Sequence, residues 1–350
     1  MKNPRRKFRD GTKRGGERFL RPARFPAETG RRFQTGKGVK KMLATSVNTD
    51  YNNDLHDWEA TERQLRCIAE AGFSHVQWIH DWEGEYLYSP SEMEQARDAL
   101  KHYHLIAHTI HASEGKARKN YTSSNSYLRQ AGVDLLKNRI SFCSAIGAQA
   151  MVLHMQLPYR NFLRDPAFEK EYYEQVFRSF DEVRPFAEAS GVRIALENLL
   201  MTPRTIELQK FERMFDRYGE EYIGLCFDSG HASIMFQPNY YELLERFHSR
   251  LIVTHLQDTD SLETARLEDD GAVGRADAHR PPFTGVLDWD RIAYWVARSP
   301  LELPADFEIG LRFGSRYPTQ EEEVADLRDV HDKSLRFHRM VLEHTQEKCS

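Results

Sequence analysis

The sequence predicts an α/β fold, a single-domain (β/α)8 TIM barrel, on three observations. Strand-like and helix-like segments alternate eight times from Met42 onward, with short connections between them. The apolar runs are continuous and aliphatic, the signature of parallel strands covered by helices on both faces. Residues 42–350 also suit eight such units in one body, whereas a doubly wound open sheet typically has fewer strands. Neither G-x-G-x-x-G nor G-x-x-x-x-G-K-[ST] occurs, which argues against dinucleotide and P-loop chemistry.

Each unit has its own local grounds. The first strand is placed over 42–47 (MLATSV), before a helix over 57–71 that Gly72 closes as a left-handed cap. The second strand, 75–79 (HVQWI), precedes a helix over 90–102 opened by Ser89-Pro90-Ser91-Glu92. The third strand, 104–110, leads to a helix over 125–146 in which Leu128, Ala131, Leu135, Leu136, Ile140 and Cys143 recur at helical spacing. Lys137 and Arg139 are expected on its outer face, and Gly147 follows as its cap. Strands over 149–154 and 192–197 flank a helix over 166–189, capped by Gly191. A helix over 206–217, a strand over 223–228 and a helix over 239–248 come next. The last units are a strand over 251–256, a helix over 288–298, a strand over 306–310 and a helix over 319–345. Residues 257–286 form the one long connection, rich in Asp and Gly; long loops in compact domains are usually lids or binding elements.

Charge is unevenly distributed. Of 49 basic and 53 acidic residues, 15 basic and three acidic lie within residues 1–41, leaving 34 against 50 in the body. The body is therefore acidic by 16 charges, which disfavours nucleic acid as a partner. Residues 1–41 lack an apolar period and are rich in Gly, Pro and Arg, so they are expected to be a disordered basic extension. Cys67, Cys143, Cys226 and Cys349 show no CxxC spacing and are expected to be reduced thiols of a cytoplasmic protein. No apolar stretch approaches a membrane span. The long last helix leaves room for a homo-oligomer interface.

Five apolar runs end in a potential metal ligand: Met151-Val-Leu-His154, Val192-Arg-Ile-Ala-Leu-Glu197, Ile223-Gly-Leu-Cys-Phe-Asp228, Leu251-Ile-Val-Thr-His255 and Phe307-Glu308. The carboxyl ends of barrel strands are where ligands bind. Glu197, Asp228, His255 and Glu308 make an oxygen-rich set that suits a divalent metal, Mn²⁺ or Mg²⁺, with Zn²⁺, Co²⁺ or Fe²⁺ also compatible. Glu302 lies close to Glu308 as an alternative. His111, His154, His231, Asp277 and His279 fall at the same end and are expected to bind substrate around the metal. Asp258, three residues after His255, joins this surrounding shell. Trp78, Trp82 and Tyr86 either stack on a bound ligand or are core; His80 and Asp81 are open to an orienting role, and Arg275, Arg280 and Arg312 to binding phosphate.

Ala195-Leu-Glu197-Asn198, Cys226-Phe-Asp228-Ser-Gly-His231-Ala, Thr254-His255-Leu-Gln-Asp258 and Asp277-Ala-His279 with Gly285-Val-Leu-Asp-Trp289 resemble motifs of the xylose isomerase-like barrel superfamily. The resemblance spans about residues 42–345 and is greatest to the sugar-phosphate isomerase/epimerase branch. It implies a (β/α)8 barrel, one divalent metal on Glu197, Asp228, His255 and Glu308, and proton transfer by Glu197 and Glu308. It also implies contact of His231 with the substrate. The chain departs from the branch at Arg280-Pro-Pro-Phe-Thr-Gly285, where a glycine-rich run is usual. The expected activity is isomerisation or epimerisation of a small sugar or polyol, phosphorylated or not, through an enediolate that a bound metal stabilises. Two alternatives remain: an inosose-type dehydratase, and a phosphodiesterase resembling apurinic-site endonucleases. The nine ligands of those three-zinc enzymes resemble His111, His154, Glu197, Asp228, His231, His255, Asp277, His279 and Glu308.

Overall fold

Eight short parallel strands frame the protein, seen here in a computed structural model that describes residues 44–52, 57–80, 84–113, 115–259, 269–302, 304–312 and 317–349. In chain order the elements are β1 (Ser46–Asn48), α1 (Trp58–Ala71), β2 (His75–Trp78), α2 (Pro90–His102), β3 (Ile106–His111), α3 (Ser126–Ala145), β4 (Ala150–Leu153) and α4 (Tyr159–Phe162). They continue with α5 (Pro166–Ser190), β5 (Arg193–Glu197), α6 (Arg204–Arg217), β6 (Ile223–Asp228), α7 (Ser229–Met235) and α8 (Glu242–Phe247). The last are β7 (Leu251–His255), α9 (Asp270–Ala276), α10 (Trp289–Val296), β8 (Asp306–Phe307) and α11 (Gln320–Cys349). The basic extension expected over 1–41 lies outside the described residues, as do Asp81 and Trp82.

The strands pair in the order β7-β6-β5-β4-β3-β2-β1-β8, all parallel. One seam closes the ring. The Leu256 amide donates to the Asp306 carbonyl at 3.0 Å, and the Glu308 amide donates to the Leu256 carbonyl at 3.2 Å. The Thr254 hydroxyl reinforces this seam by accepting from the Asp306 amide at 3.0 Å and donating to its carbonyl at 3.1 Å. An eight-stranded, nearly closed TIM barrel results, as expected.

Local sequence explains most element boundaries. Asp57 caps α1, and Ser89 with Glu92 forms the full capping box of α2, preceded in the first turn by Pro90. Gly72, Gly147 and Gly191 all have positive φ after helices α1, α3 and α5. Four expectations need correction. Among the described residues the first strand is Ser46–Asn48, later than the 42–47 expected, because pairing to β2 starts at Ser46↔His75; Met42 and Leu43 lie outside the described residues. The eighth is only Asp306–Phe307 and not 306–310. Helices α4, α7 and α9 were not anticipated, being too short to show a period; α9 lies within the long connection. Arg139 is buried, not outward: it donates to the Tyr86 carbonyl at 2.6 Å and stacks on the Tyr88 ring.

Strand alternation divides the core into two layers. Met151, Leu153, Ile194, Leu196, Leu225 and Phe227 join the large cluster shared with the helices. Ala150, Val152, Ala195, Cys226 and Val253 form a separate small cluster, which Ile252 joins from the other face of its strand. Below it, buried Asp306 accepts from the hydroxyls of Ser46 (2.5 Å) and Thr109 (2.6 Å) and lies 2.6 Å from His108 Nε2.

Candidate active site

Alternation also selects the side chains that meet above the small cluster. His154 continues Ala150 and Val152, Glu197 continues Ala195, Asp228 continues Cys226, and His255 continues Val253. Each apolar partner stands two residues earlier on the same face. Glu308 follows Asp306 in the same way. Ligand atoms of Glu197, Asp228, His255 and Glu308 all lie within 4.8 Å of one another. His255 Nδ1 is 2.7 Å from Glu308 Oε2 and 3.2 Å from Glu197 Oε1. Glu302, the alternative on the eighth unit, is exposed.

The donor set fits a divalent cation. Opposite ligands on an ion with bonds of about 2.1–2.4 Å lie about 4.2–4.8 Å apart. Three carboxylates supply hard oxygens, and His255 Nδ1 is buried without an aligned hydrogen-bond partner. On the far side of that ring, the buried Gln77 amide nitrogen contacts His255 Nε2 at 2.7 Å, and Gln77 Oε1 has no partner among the described residues. A 180° flip of this amide places the oxygen on Nε2–H, which frees the Nδ1 lone pair for a cation.

Two further groups flank these four. His111 Nε2 and His154 Nε2 are 3.1 Å apart and lie 3.7 and 2.9 Å from Glu197 Oε2. On the other side, Asp277 Oδ2 lies 3.4 Å from His231 Nε2 and 3.1 Å from His279 Nε2. His231 Nδ1 bridges back to Glu197 Oε1 at 3.2 Å. Gln257 ties the halves together: its amide donates to Asp228 Oδ2 at 3.1 Å and Asp277 Oδ1 at 3.0 Å, and its oxygen accepts from the His279 amide at 2.9 Å. All nine residues singled out from the sequence thus stand in one mouth.

Their electrostatics are mutual. Burial works against ionisation of Glu197, yet the imidazoles of His255 and His154 hold its carboxyl well below the usual range. Glu308, although buried, is held down to about 2 by His255 and His279. Asp228 goes the other way, to about 7, because burial and the charges of Glu197, Asp277 and Glu308 outweigh His231. Burial opposes protonation of His279, but Asp277 raises it to about 10. Carboxylates balanced by protonated imidazoles are what such a cluster adopts as protein alone; a cation displaces those protons.

Several residues of the site escaped the sequence reading. Gln77 sat inside a strand whose inward face could not be told from its outward one. Asp50 lies near Glu308, and burial followed by the Glu308 charge lifts its carboxyl to about 6. It was missed because the first strand was placed too early. Lys210 and Glu207 form a buried ion pair behind Glu197. Lys210 donates to the Glu197 carbonyl at 2.8 Å, and Glu207 accepts from the Leu199 amide at 2.9 Å. Only their spacing of three on α6 hinted at a pair.

Other candidates are placed elsewhere. Trp78 is buried core, edge-on to Phe142, and Tyr86 is exposed and bonded to Glu92. His80 contacts the Tyr88 hydroxyl at 3.0 Å. The Asp258 carboxylate turns away from the site to organise the following loop, accepting from the Trp289 indole at 2.9 Å and from the Thr284 and Leu287 amides at 3.2 Å. Arg312 pairs with Glu322 and Asp326 of α11.

Known proteins share this fold. The profile of the xylose isomerase-like TIM barrel family matches residues 65–329. The protein y4fM of Sinorhizobium fredii is 33% identical over 300 residues, covering 81% of this chain and 90% of that one. Among solved structures, a xylose isomerase-like protein of Rhodospirillum rubrum superposes with a TM-score of 0.62 at 17% identity, covering 84% and 98% of the two chains. A D-tagatose 3-epimerase-like protein does so at 0.60 and 17%, covering 88% and 100%. The 3-keto-D-glucoside 4-epimerase of E. coli gives 0.56 and 16%, covering 83% and 100%. At such identities the likeness speaks to the fold; the profile and the S. fredii relative carry further, and the chain belongs to the xylose isomerase-like TIM barrel family.

Proposed function

We propose that the protein is a divalent-cation-dependent isomerase or epimerase of a small sugar or polyol. The observation that carries this reading is the pairing of Glu197 and Glu308 in one site with Asp228 and His255, all within 4.8 Å. These four would hold the cation, with Mn²⁺ favoured by the oxygen-rich set. When bound, it supplies Lewis-acid polarisation of adjacent substrate oxygens, which acidifies the neighbouring C–H. Glu197 and Glu308 come from strands five and eight and approach a bound sugar from different sides. In the empty site both are held ionised; in the reaction one would take the C–H proton as carboxylate, while the other, entering with a proton of its own, would deliver that proton to the opposite face or the neighbouring carbon. His231, His111, His154, Asp277 and His279 ring the mouth and orient hydroxyls. The likeness to proteins named as sugar epimerases supports this reading.

The test is elemental analysis followed by exchange in D₂O with a panel of ketoses, aldoses and polyols. About one ion per chain and deuterium at a single carbon are expected. Glu308→Gln should reduce exchange by at least about 100-fold; full turnover by that variant removes the two-glutamate mechanism.

A second reading, phosphodiester hydrolysis at a multinuclear centre, is favoured by the two flanking groups, His111/His154 on Glu197 and His231/Asp277/His279. Three tightly held zinc ions with no C–H exchange would select it. The body's surplus of 16 negative charges weighs against a nucleic-acid substrate.

A further inference from the structure

A cavity of 440 Å³ lies beside this site, walled by the segment before α3, the segment after β4 and the first half of α5. It shares a stretch of chain with the ligand set. His154 Nε2 is 2.9 Å from Glu197 Oε2, while Gln156, two residues on, lines the cavity. Two residues of chain span at most about 7 Å. The Tyr172 hydroxyl, donating to the Gln156 carbonyl at 2.7 Å, anchors that stretch to α5.

The lining is chemically one-sided. Asn120, Ser124, Gln156 and Gln175 contribute neutral donors and acceptors, and Phe168 and Tyr172 contribute rings. Glu171 is the only charged residue among those lining it, and no Lys, Arg or His is present. Among the described residues, the side-chain amides of Gln156 and Gln175 bond to no protein group. Amides that donate and accept side by side match vicinal hydroxyls, and aromatic faces pack against the C–H face of a pyranose. A phosphate finds no cation here and meets the Glu171 carboxylate. The volume falls in the range of small-molecule sites.

We propose that this cavity is a glycosyl subsite. It takes an uncharged, hydroxyl-bearing ring joined to the sugar on which Glu197 and Glu308 act, so the substrate is a glycoside and not a sugar phosphate. The proposal rests on the isomerase or epimerase reading for the reacting ring, but the cavity's own ligand is tested separately.

The experiment uses the full chain, loaded with Mn²⁺, and titrates it calorimetrically with maltose, cellobiose, sucrose, melibiose, glucose, fructose and their 6-phosphates. At least one neutral disaccharide is expected to bind more tightly than either free hexose or its phosphate. Gln175→Leu and exposed Gln156→Ala should each weaken that disaccharide about fivefold, the worth of one hydrogen bond, and leave the hexoses unchanged. No saturable binding by any of the four disaccharides, equal affinity in wild type and both variants, or preference for a phosphorylated hexose overturns the subsite. Parallel D₂O exchange separates the two ideas. Disaccharide binding that the variants weaken, without exchange of any sugar, keeps the subsite and removes the isomerase reading. Exchange of a free hexose with variant-insensitive binding does the reverse.

Discussion

Replacing Lys210 by Met isolates the support behind Glu197. Both Lys210 and Glu207 are fully buried, and their pairing holds two main-chain groups at the end of β5, the Glu197 carbonyl and the Leu199 amide. Lys210→Met leaves Glu207 as an unpaired buried carboxylate, one oxygen of which already has no hydrogen-bond partner among the described residues. Removing one partner of a buried pair costs about 3–5 kcal/mol. Burial already raises the Glu207 carboxyl despite Lys210, so the variant sheds the charge by taking up a proton, which sets the loss at the lower end of that range. For a body of this size that corresponds to a fall in Tm of about 4–6 °C. The freed Glu197 carbonyl lets the ligand end of β5 shift, and Mn²⁺ affinity should fall about 10–100-fold, the usual scale for support behind metal ligands. Differential scanning calorimetry and Mn²⁺ titration followed by electron paramagnetic resonance measure the two effects. Lys210→Met/Glu207→Gln should recover most of the stability, because a neutral amide at 207 still accepts from Leu199. A single variant that melts within 1 °C of wild type (against the ~4–6 °C expected) and binds Mn²⁺ equally well refutes the reasoning.

Gln77→Leu removes the group behind His255 without opening a large cavity; Mn²⁺ affinity should drop about 10–100-fold while the melting temperature moves little, and unchanged affinity would show that Gln77 does not set the tautomer. His338, buried and lowered by desolvation from 6.5 to about 4, accepts from the Ala305 amide at 3.0 Å just before β8. Its folded value lies below the unfolded one, so the unfolded chain takes up the proton first as pH falls. Stability present above about 6.5 should therefore decline toward pH 4 by about 3 kcal/mol, and the Tm–pH profile of His338→Gln should be flatter over that window; parallel profiles would sink the assignment. Gly230→Ala places a Cβ 2.5 Å from Gln257 Cδ. Displacing Gln257 loosens Asp228 and Asp277 together, with an expected loss of about 1–3 kcal/mol and weaker metal binding, read by the same calorimetry and titration.

The candidate ligand set was legible because strand ends carry it. A buried parallel strand is a run of aliphatics, and the first polar residue beyond it lies at the rim whatever the exact boundaries. Glu197, Asp228 and His255 close β5, β6 and β7. Strands one and eight were harder, since three and two residues give too few positions for a pattern. That shortness hid Asp50. Gln77 and Gln257 were illegible for another reason: a neutral amide carries no charge pattern, whether between Val76 and Trp78 or between Leu256 and Asp258, and its value appears only when its partners across the ring are placed. Arg139 defeated helical periodicity because its charge is spent on a carbonyl and a tyrosine ring inside the core.

The seam between β7 and β8 has a bearing on how the ring behaves when empty. It is held by one residue's worth of backbone pairing and the Thr254 hydroxyl, and it is flanked by His255 on one side and Glu308 on the other. A ligand that grips both side chains staples the hoop at its thinnest stave. Amide deuterium uptake at Leu256 and Glu308 should accordingly slow on loading with Mn²⁺, more than anywhere else around the ring.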